Sequence, residues 1–222
     1  MRTPKIYGGA PKDLGHIAID TSEMMYWLYC PIKKPQSPLV IPPNLDRFEP
    51  LMRRAIYHAC DKRSNEWVYN GYVYVTAKTM WVNGSTANRP GWHSDGFLTD
   101  DLNFIWMNSS PTVFCIDQLT DFVADHELSL SEMQQWADAR PLKHVRYPVE
   151  HLLMLDEGVI HKVDDQMTPG IRTFVKISIS RHPYALKGNS INHELPLNVE
   201  YLDRQPIRNC PTGASNGKSA NT

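Results

Sequence analysis

The sequence predicts a mainly β protein with a double-sheet jelly-roll core and a few flanking helices. Polar and apolar side chains alternate with a period of two over 67–76 and again over 171–180, which is typical of half-buried strands. Turn residues separate further short apolar runs, notably Leu102–Met107 and His151–Leu155, so several short strands are expected. Many short strands joined by turns, with one or two helices outside them, favour two packed sheets.

Length and composition favour a single domain spanning 1–222. The chain has 222 residues, of which 41% are hydrophobic and 21% charged, enough for one sizeable core. We expect this core at about 45–182, with an N-terminal extension over 1–43, a C-terminal extension over 183–210 and a disordered tail over 211–222. The formal net charge is −1, so no broad attraction to nucleic acid or to anionic membranes is expected.

The cysteines and the hydropathy pattern bear on the compartment. Cys30, Cys60, Cys115 and Cys210 are scattered without paired spacing, which favours free thiols in a reducing compartment. No run of 18 or more apolar residues occurs, and the N-terminus lacks the apolar segment of a signal peptide. We therefore expect a soluble cytoplasmic protein that does not enter membranes, while its oligomeric state stays open.

The first part of the chain is less regular. We expect an extended lead-in over 1–15 and a short strand at Ile17–Asp20, and the pattern leaves Ser22–Tyr29 open between a helix and an edge strand. Five prolines between Pro31 and Pro43 predict an irregular surface loop there.

Two helices are predicted. The first begins at Asn44 as N-cap and runs to Cys60, and the second covers Ser129–Arg140, with Ser129 and Glu132 as a capping box. Apolar residues repeat at helical spacing in the first helix, namely at Leu45, Phe48, Leu51, Met52, Ala55, Ile56 and Ala59. One apolar face of this kind packs on the outside of a sheet.

Turn signals divide the remaining strands. Asn70-Gly71 and Asn83-Gly84 are typical of hairpin turns. The turn at 108–111 predicts that 102–107 and 112–116 form a second hairpin-like unit. The predicted strands of this part are 67–76, 79–82, 102–107, 112–116, 144–147, 151–155 and 171–180.

A His-Ser-Asp triplet at 93–95 and a distant histidine are the strongest chemical signal. His93 and Asp95 lie two positions apart, and side chains two apart on a strand or at its end point to the same face. His161 follows the turn residues Asp156-Glu-Gly158 and is a candidate third ligand. Two histidines and one carboxylate on one side of a metal form the facial triad of non-haem Fe(II) oxygenases.

Two further residues are candidates for binding a cosubstrate. Arg172 follows His161 by eleven positions, and a guanidinium binds a carboxylate through two parallel hydrogen bonds. Tyr74 lies on a predicted strand just before the triplet and is either a hydrogen-bond donor to the cosubstrate or a packing residue. The face that carries Arg172 also carries Lys176, while the opposite face is apolar. This pattern fits a polar inner cavity backed by helices, and it fits a solvent-facing side equally well.

In this order, His93-Ser94-Asp95, His161 and Arg172 resemble the Fe(II)/2-oxoglutarate-dependent dioxygenases, over about 67–182. The resemblance implies a cupin-like double-stranded β-helix, Fe(II) held by the two histidines and the aspartate, and a 2-oxoglutarate carboxylate on Arg172. It further implies that dioxygen (O2) is consumed and that succinate and carbon dioxide are released. Hydroxylation is the default outcome of this chemistry, and desaturation, ring closure and demethylation are its variants.

A second function class stays open. A cupin-like barrel with the same His/Asp set would bind Zn or Mn, or no metal, and act as a sugar- or partner-binding protein or an isomerase. Arg172 separates the two classes, because a simple metal-binding barrel needs no carboxylate-binding arginine. No motif names the substrate, whether a small molecule or a residue of a larger one, and the regions 1–43 and 183–222 are the expected sources of specificity.

Overall fold

The computed structural model describes residues 5–83, 91–120, 122–164 and 167–204. Within these residues the chain forms two antiparallel sheets and three α-helices, so the prediction of a mainly β fold is confirmed. The helices are α1 (Glu49–Lys62), α2 (Asn65–Tyr69) and α3 (His126–Ala139). The strands are β1 (Lys12–His16), β2 (Met25–Lys33), β3 (Tyr72–Val82), β4 (His93–Ser94), β5 (Leu102–Met107), β6 (Val113–Cys115), β7 (His144–Arg146), β8 (His151–Leu155), β9 (Ile160–Lys162) and β10 (Gly170–Ser180).

The chain passes repeatedly from one sheet to the other. The larger sheet has the strand order β1-β8-β5-β10-β3-β2, and the smaller sheet has the order β4-β9-β6-β7. From β3 onward, strands of the two sheets alternate along the chain, except that β6 and β7 are consecutive and pair with each other. This order is consistent with the predicted jelly roll.

The predicted hairpin-like unit over 102–116 is wrong. β5 belongs to the larger sheet and β6 to the smaller one, so these consecutive strands do not pair. The turn between them carries the chain across from one sheet to the other, with Ser110 at a φ of 48°. Asn and Ser at a turn indicate a change of direction, but they do not say which strand the chain pairs with next.

The larger sheet has an apolar outer face covered by α1. Leu51, Met52, Ala55 and Ala59 of α1 are buried in a cluster with the outward residues of β3 and β10, namely Val73, Val75, Ala77, Val175, Ile177 and Ile179. The prediction of a helix packed outside a sheet is thus confirmed. The polar side chains of β10 face the other way, towards the smaller sheet.

Two local predictions around the first helices are wrong. The helix predicted from Asn44 begins as a 3-10 turn over Pro43–Phe48, and α1 follows it. The strand predicted from Trp67 is helical up to Tyr69, because the Ser64 hydroxyl accepts a hydrogen bond from Trp67 N and caps α2. Asn70-Gly71 therefore joins α2 to β3 and closes no hairpin, and the second predicted turn, Asn83-Gly84, extends beyond the described residues.

The start of the chain contributes two strands to the larger sheet. No strand forms at Ile17–Asp20, and β1 precedes it instead. β2 includes Pro31, so the predicted irregular loop begins only after Lys33. β2 lies at the edge of the sheet, where a strand tolerates a proline. The division into a core and two extensions stays a prediction.

The cap of α3 also differs from the prediction. Asp125 is the N-cap, and its carboxylate accepts hydrogen bonds from the backbone N–H groups of Glu127 and Leu128. Ser129 is buried inside the first turn of the helix. Glu132 does reach back, but to the backbone N–H of Val123, at 2.8 Å.

Several remaining predictions concern cysteines and membranes. Cys30, Cys60 and Cys115 are free of disulfides, while Cys210 and the predicted tail 211–222 lie outside the described residues. In the described part of the chain, no helix combines the length and the apolar character that crossing a membrane requires.

Candidate metal centre

His93, Asp95 and His161 converge at one end of the smaller sheet. β4 pairs with β9 so that His93 stands directly opposite His161, and the centroids of their rings are 4.4 Å apart. Oδ2 of Asp95 lies 3.7 Å from Nε2 of His161. One candidate ligand atom from each residue lies within 4.8 Å of the other two, so the structure brings together the three residues predicted from the sequence.

Backbone carbonyl oxygens contact Nδ1 of both histidines. Nδ1 of His93 is 3.0 Å from the carbonyl oxygen of Gly91, and Nδ1 of His161 is 3.3 Å from that of Val159. Because a carbonyl oxygen only accepts hydrogen bonds, both Nδ1 atoms carry the proton. Nε2 is then the nitrogen of each ring that would bind a metal, and each ring is held in orientation by its Nδ1 contact.

A tight turn after β4 positions Asp95. Gly96 has a φ of +74°, and a Cβ atom there would lie only 3.1 Å from Cβ of Asp101 and from the Thr99 hydroxyl. Thr99 donates to the Gly96 carbonyl from both its backbone N–H and its hydroxyl. Glycine suits this position, since the backbone is left-handed and closely approached.

Lys176 is a site residue whose role the sequence did not reveal. Its Nζ donates to Oδ2 of Asp95 and to the hydroxyl of Tyr29, each at 3.1 Å, and the residue is 9% exposed. The sequence placed Lys176 on the same strand face as Arg172, but no signal indicated that it pairs with a candidate metal ligand.

Asp95 and Lys176 each stabilise the charged form of the other. Burial alone would raise the pKa of the Asp95 carboxyl, yet Lys176, His161 and His93 hold it below its usual range. Burial alone would likewise lower the pKa of Lys176, yet Asp95 and Tyr29 raise it above its usual range. The carboxylate is therefore deprotonated, as a metal ligand must be.

Tyr29 reaches the site because of a bulge in β2. The register between β2 and β3 shifts between Trp27 and Cys30, and Tyr29 has a φ of 46°. The Thr76 hydroxyl accepts a hydrogen bond from the Tyr29 backbone N–H at 3.0 Å. A bulge of this kind changes the direction in which a side chain points. No pattern in the sequence indicated the bulge in β2.

Arg172 is buried with part of its hydrogen-bonding capacity unused. It is 3% exposed, and its Nε donates to the carbonyl oxygen of Ser109 at 3.1 Å. Within the described residues its Nη2 has no hydrogen-bond partner. Burial lowers the pKa of Arg172 to about 10, so the guanidinium stays charged at neutral pH.

One cavity of about 440 Å³ joins these groups. It extends between the two sheets from β2 to α3. Its polar lining includes Tyr26, Tyr29, Thr76, Lys78, His93, Asp95, Asp101, His161, Arg172, Lys176 and Tyr184. Its apolar lining includes Phe97, Ile105, Met133, Val163 and Phe174. The polar face of β10 thus faces an inner cavity. The sequence had left open whether this face lines a cavity or faces solvent.

Tyr74 lies behind the wall of this cavity. It is buried, its ring stacks on that of Tyr184 at a centroid distance of 4.8 Å, and its hydroxyl accepts a hydrogen bond from Tyr184 N. Tyr29 and Tyr184 are among the residues that line the cavity. A cosubstrate-binding role for Tyr74 stays a prediction, and its contacts are those of a packing residue.

The fold and the site define a two-sheet β protein with a candidate metal centre of two histidines and one carboxylate. Neither the models of known protein families nor the curated proteins give a match to the chain. Among solved structures, it is similar to an oxidoreductase of the 2OG-Fe(II) oxygenase family from Burkholderia pseudomallei, with a TM-score of 0.38, 12% identity, and coverage of 73% of this chain and 68% of that one. It is also similar to a bsmA homologue from Methylobium petroleophilum, with a TM-score of 0.35, 14% identity, and coverage of 72% and 65%. Likenesses this distant assign neither a family nor an activity.

Proposed function

We propose that the chain is an Fe(II)- and 2-oxoglutarate-dependent oxygenase built on a double-stranded β-helix core. One observation carries the proposal: the three candidate metal ligands line the same cavity as a buried arginine whose Nη2 has no hydrogen-bond partner within the described part of the chain. The alternation of strands between the two sheets supports the proposed core.

The donor set fits Fe(II). His93 and His161 each offer Nε2, the ring nitrogen that does not contact a backbone carbonyl, and Asp95 offers a deprotonated carboxylate. Two imidazoles and one carboxylate are the donor set with which proteins hold non-haem Fe(II), and they would leave room on the ion for a cosubstrate and dioxygen. Lys176 keeps the Asp95 carboxylate charged and oriented, and the backbone carbonyls fix both rings.

The arginine fits a dicarboxylic cosubstrate. Buried polar groups are almost always hydrogen-bonded, so a guanidinium nitrogen with no partner among the described residues, on an arginine that lines a cavity, supports a ligand there. A carboxylate is the natural partner, since it accepts two parallel hydrogen bonds and neutralises the charge. A zinc- or manganese-binding barrel without a cosubstrate offers no such partner for Arg172.

When bound, Fe(II) with 2-oxoglutarate supplies oxidative chemistry in which dioxygen is consumed, succinate and carbon dioxide are released, and the substrate gains a hydroxyl group. The chain's own residues bind and orient the metal, the cosubstrate and the substrate, and they exclude water. Ile105, Val163 and Phe174 give the cavity an apolar wall, which strengthens the polar contacts made within it. The free cysteines fit a reducing compartment, and we propose the cytoplasm.

Turnover in the absence of substrate tests the proposal. The purified protein is loaded with Fe(II) or with Zn(II), and succinate is measured after 2-oxoglutarate and air are added. We expect slow succinate formation with Fe(II) and none with Zn(II). Failure of the Fe(II) form to consume 2-oxoglutarate with any member of a broad substrate library would overturn the assignment.

A further inference from the structure

Asp101 lines the cavity at the opposite end of β10 from Arg172. It immediately precedes β5, whose first residue pairs with Ile179 near the end of β10. Arg172 lies near the beginning of the same strand. Lys176, whose Nζ contacts the candidate ligand Asp95, lies between these two positions. Along β10, the candidate metal centre is therefore flanked by a basic residue on one side and by an acidic residue on the other.

One carboxylate oxygen of Asp101 lacks a hydrogen-bond donor. The residue is only 2% exposed, and its Oδ2 accepts a hydrogen bond from the Tyr184 hydroxyl at 2.5 Å. Its Oδ1 has no hydrogen-bond partner within the described residues. In the same part of the chain, no cationic side chain pairs with this carboxylate. Asp101 is thus a buried acidic group of the cavity with half of its accepting capacity unused.

The chemistry of this contact defines the missing partner. Burial and the negative charge of Asp101 raise the pKa of Tyr184, so the Tyr184 hydroxyl keeps its proton and is the donor to Oδ2. An ionised carboxylate only accepts hydrogen bonds, so the group missing at Oδ1 is a donor. Because buried charges in proteins are usually paired, a positively charged donor fits Oδ1 better than a neutral one.

Aromatic side chains near Asp101 also suit a cation. Tyr29 and Tyr184 both line the cavity, with their ring centroids 5.2 Å apart and their planes perpendicular. Phe97 lines it as well and follows Gly96, where an added Cβ would lie 3.1 Å from Cβ of Asp101. Aromatic rings attract ammonium groups that lie within about 6 Å of their centroids. The cavity therefore offers a carboxylate oxygen and aromatic rings in the same region.

We propose that Asp101 is a specificity-determining residue that binds an ammonium group of the primary substrate through Oδ1. The proposal rests on the proposed function, in which Arg172 holds the 2-oxoglutarate carboxylate towards the other end of β10. The substrate class is a small molecule that bears a primary amine. Its ammonium group donates to Asp101, and the rest of the molecule extends towards the two histidines.

A binding experiment tests this subsite without requiring turnover. The probes are para-fluorophenyl alkylamines of increasing chain length and the alcohols of the same lengths. Each is titrated by fluorine NMR into protein loaded with Zn(II) and 2-oxoglutarate. We expect at least one amine to bind at least tenfold more tightly than its matching alcohol, because the alcohol donates a hydrogen bond but carries no charge.

Variants assign the preference for amines to Asp101. Asp101→Asn, with Asp101→Ser as a second variant, is expected to weaken amine binding at least tenfold and to leave the affinities for the alcohol and for 2-oxoglutarate unchanged. Tyr184→Phe keeps the carboxylate and should retain the preference for the amine. The matched control is Asp46→Asn, which makes the same charge change at an exposed position outside the cavity lining and should change none of these affinities.

Three results would overturn the subsite. The first is that no amine binds more tightly than its alcohol, because Oδ1 then holds water or a neutral donor. The second is amine binding that survives both substitutions of Asp101. The third is an equal loss of amine and alcohol binding in these variants, because Asp101 then has only a structural role.

The subsite and the proposed function can fail separately. If amines bind through Asp101 but 2-oxoglutarate does not bind to the metal-loaded protein, the subsite stands and the oxygenase assignment fails. If 2-oxoglutarate binds and amines show no preference over alcohols, the oxygenase assignment stands and the subsite fails.

Discussion

Nζ of Lys176 lies 3.1 Å from Oδ2 of Asp95, the carboxylate that lies close to the two candidate histidine ligands. The ammonium and the carboxylate come from different sheets, since Lys176 is on β10 and Asp95 follows β4. An ion pair therefore joins the larger sheet to the candidate metal centre.

Breaking this pair should destabilise the metal-free protein. Lys176→Met retains the length of the side chain but leaves the Asp95 carboxylate without its ammonium, and removing one partner of a buried ion pair costs about 3 to 5 kcal/mol. We expect the low end, about 3 kcal/mol, because the Asp95 side chain is 22% exposed. Urea denaturation of the metal-free protein measures the loss.

The double variant Lys176→Met/Asp95→Asn serves as the control. It removes both charges and should recover part of the lost stability. A Lys176→Met protein as stable as the wild type, or a double variant less stable than the single one, would contradict a stabilising pair.

The Tyr29 hydroxyl should contribute less to the stability of the protein than the ion pair does. Tyr29→Phe removes the acceptor of the Lys176 hydrogen bond and keeps the ring, and a hydrogen bond to a charged group contributes about 1.5 to 3 kcal/mol. We expect a loss of about 1.5 kcal/mol in the free energy of unfolding, since Tyr29 is only partly buried. The control is Tyr57→Phe, at a residue that is 69% exposed, and equal effects of the two changes would show that the contact to Lys176 contributes nothing.

Each candidate ligand should be necessary for metal binding. His93→Ala, Asp95→Asn and His161→Ala are each expected to weaken Co(II) binding roughly a hundredfold or more, or about 2.8 kcal/mol. Calorimetric titration measures the affinity, and circular dichroism checks that the variants stay folded. His151→Ala is the matched control, because His151 pairs with Asp13 at the far edge of the larger sheet. If a variant retains the wild-type affinity for Co(II), the substituted residue is not a metal ligand.

A substitution on the outer face of the larger sheet should lower stability without changing metal affinity. Phe48 is fully buried on the outer, α1 side, so Phe48→Ala should cost about 3 to 5 kcal/mol of stability. Because the cavity lies on the other face, Co(II) affinity of the folded variant should be unchanged. A large loss of metal affinity without a loss of stability would show that the outer core acts on the site.

The grouping of the three candidate ligands could be predicted from the sequence because their chemistry and order are visible there. The H-x-D spacing and the strand alternation at Arg172 are local, and local patterns survive folding. Lys176 and Tyr29 reach the site only through cross-strand register and a bulge, and register cannot be read from a single sequence.

The fold predictions failed for a related reason. The alternating pattern from Trp67 indicated a strand, but Ser64 caps a helix there and the residues up to Tyr69 are helical. Between Met107 and Val113 the turn residues were recognised, but the sheet to which the next strand belongs depends on the packing of the whole chain. Most of the longer elements were therefore predictable, whereas partners across sheets were not.

The anaerobic titration of 2-oxoglutarate into the Fe(II)-loaded protein tests the central claim most directly. In the wild type we expect a weak visible absorption band that saturates with 2-oxoglutarate. Arg172→Gln should weaken the 2-oxoglutarate affinity more than tenfold, since loss of a buried charged contact costs about 2 to 5 kcal/mol, and should leave Fe(II) affinity unchanged. Absence of the band in the wild type, or equal dissociation constants for the two proteins, would contradict the account.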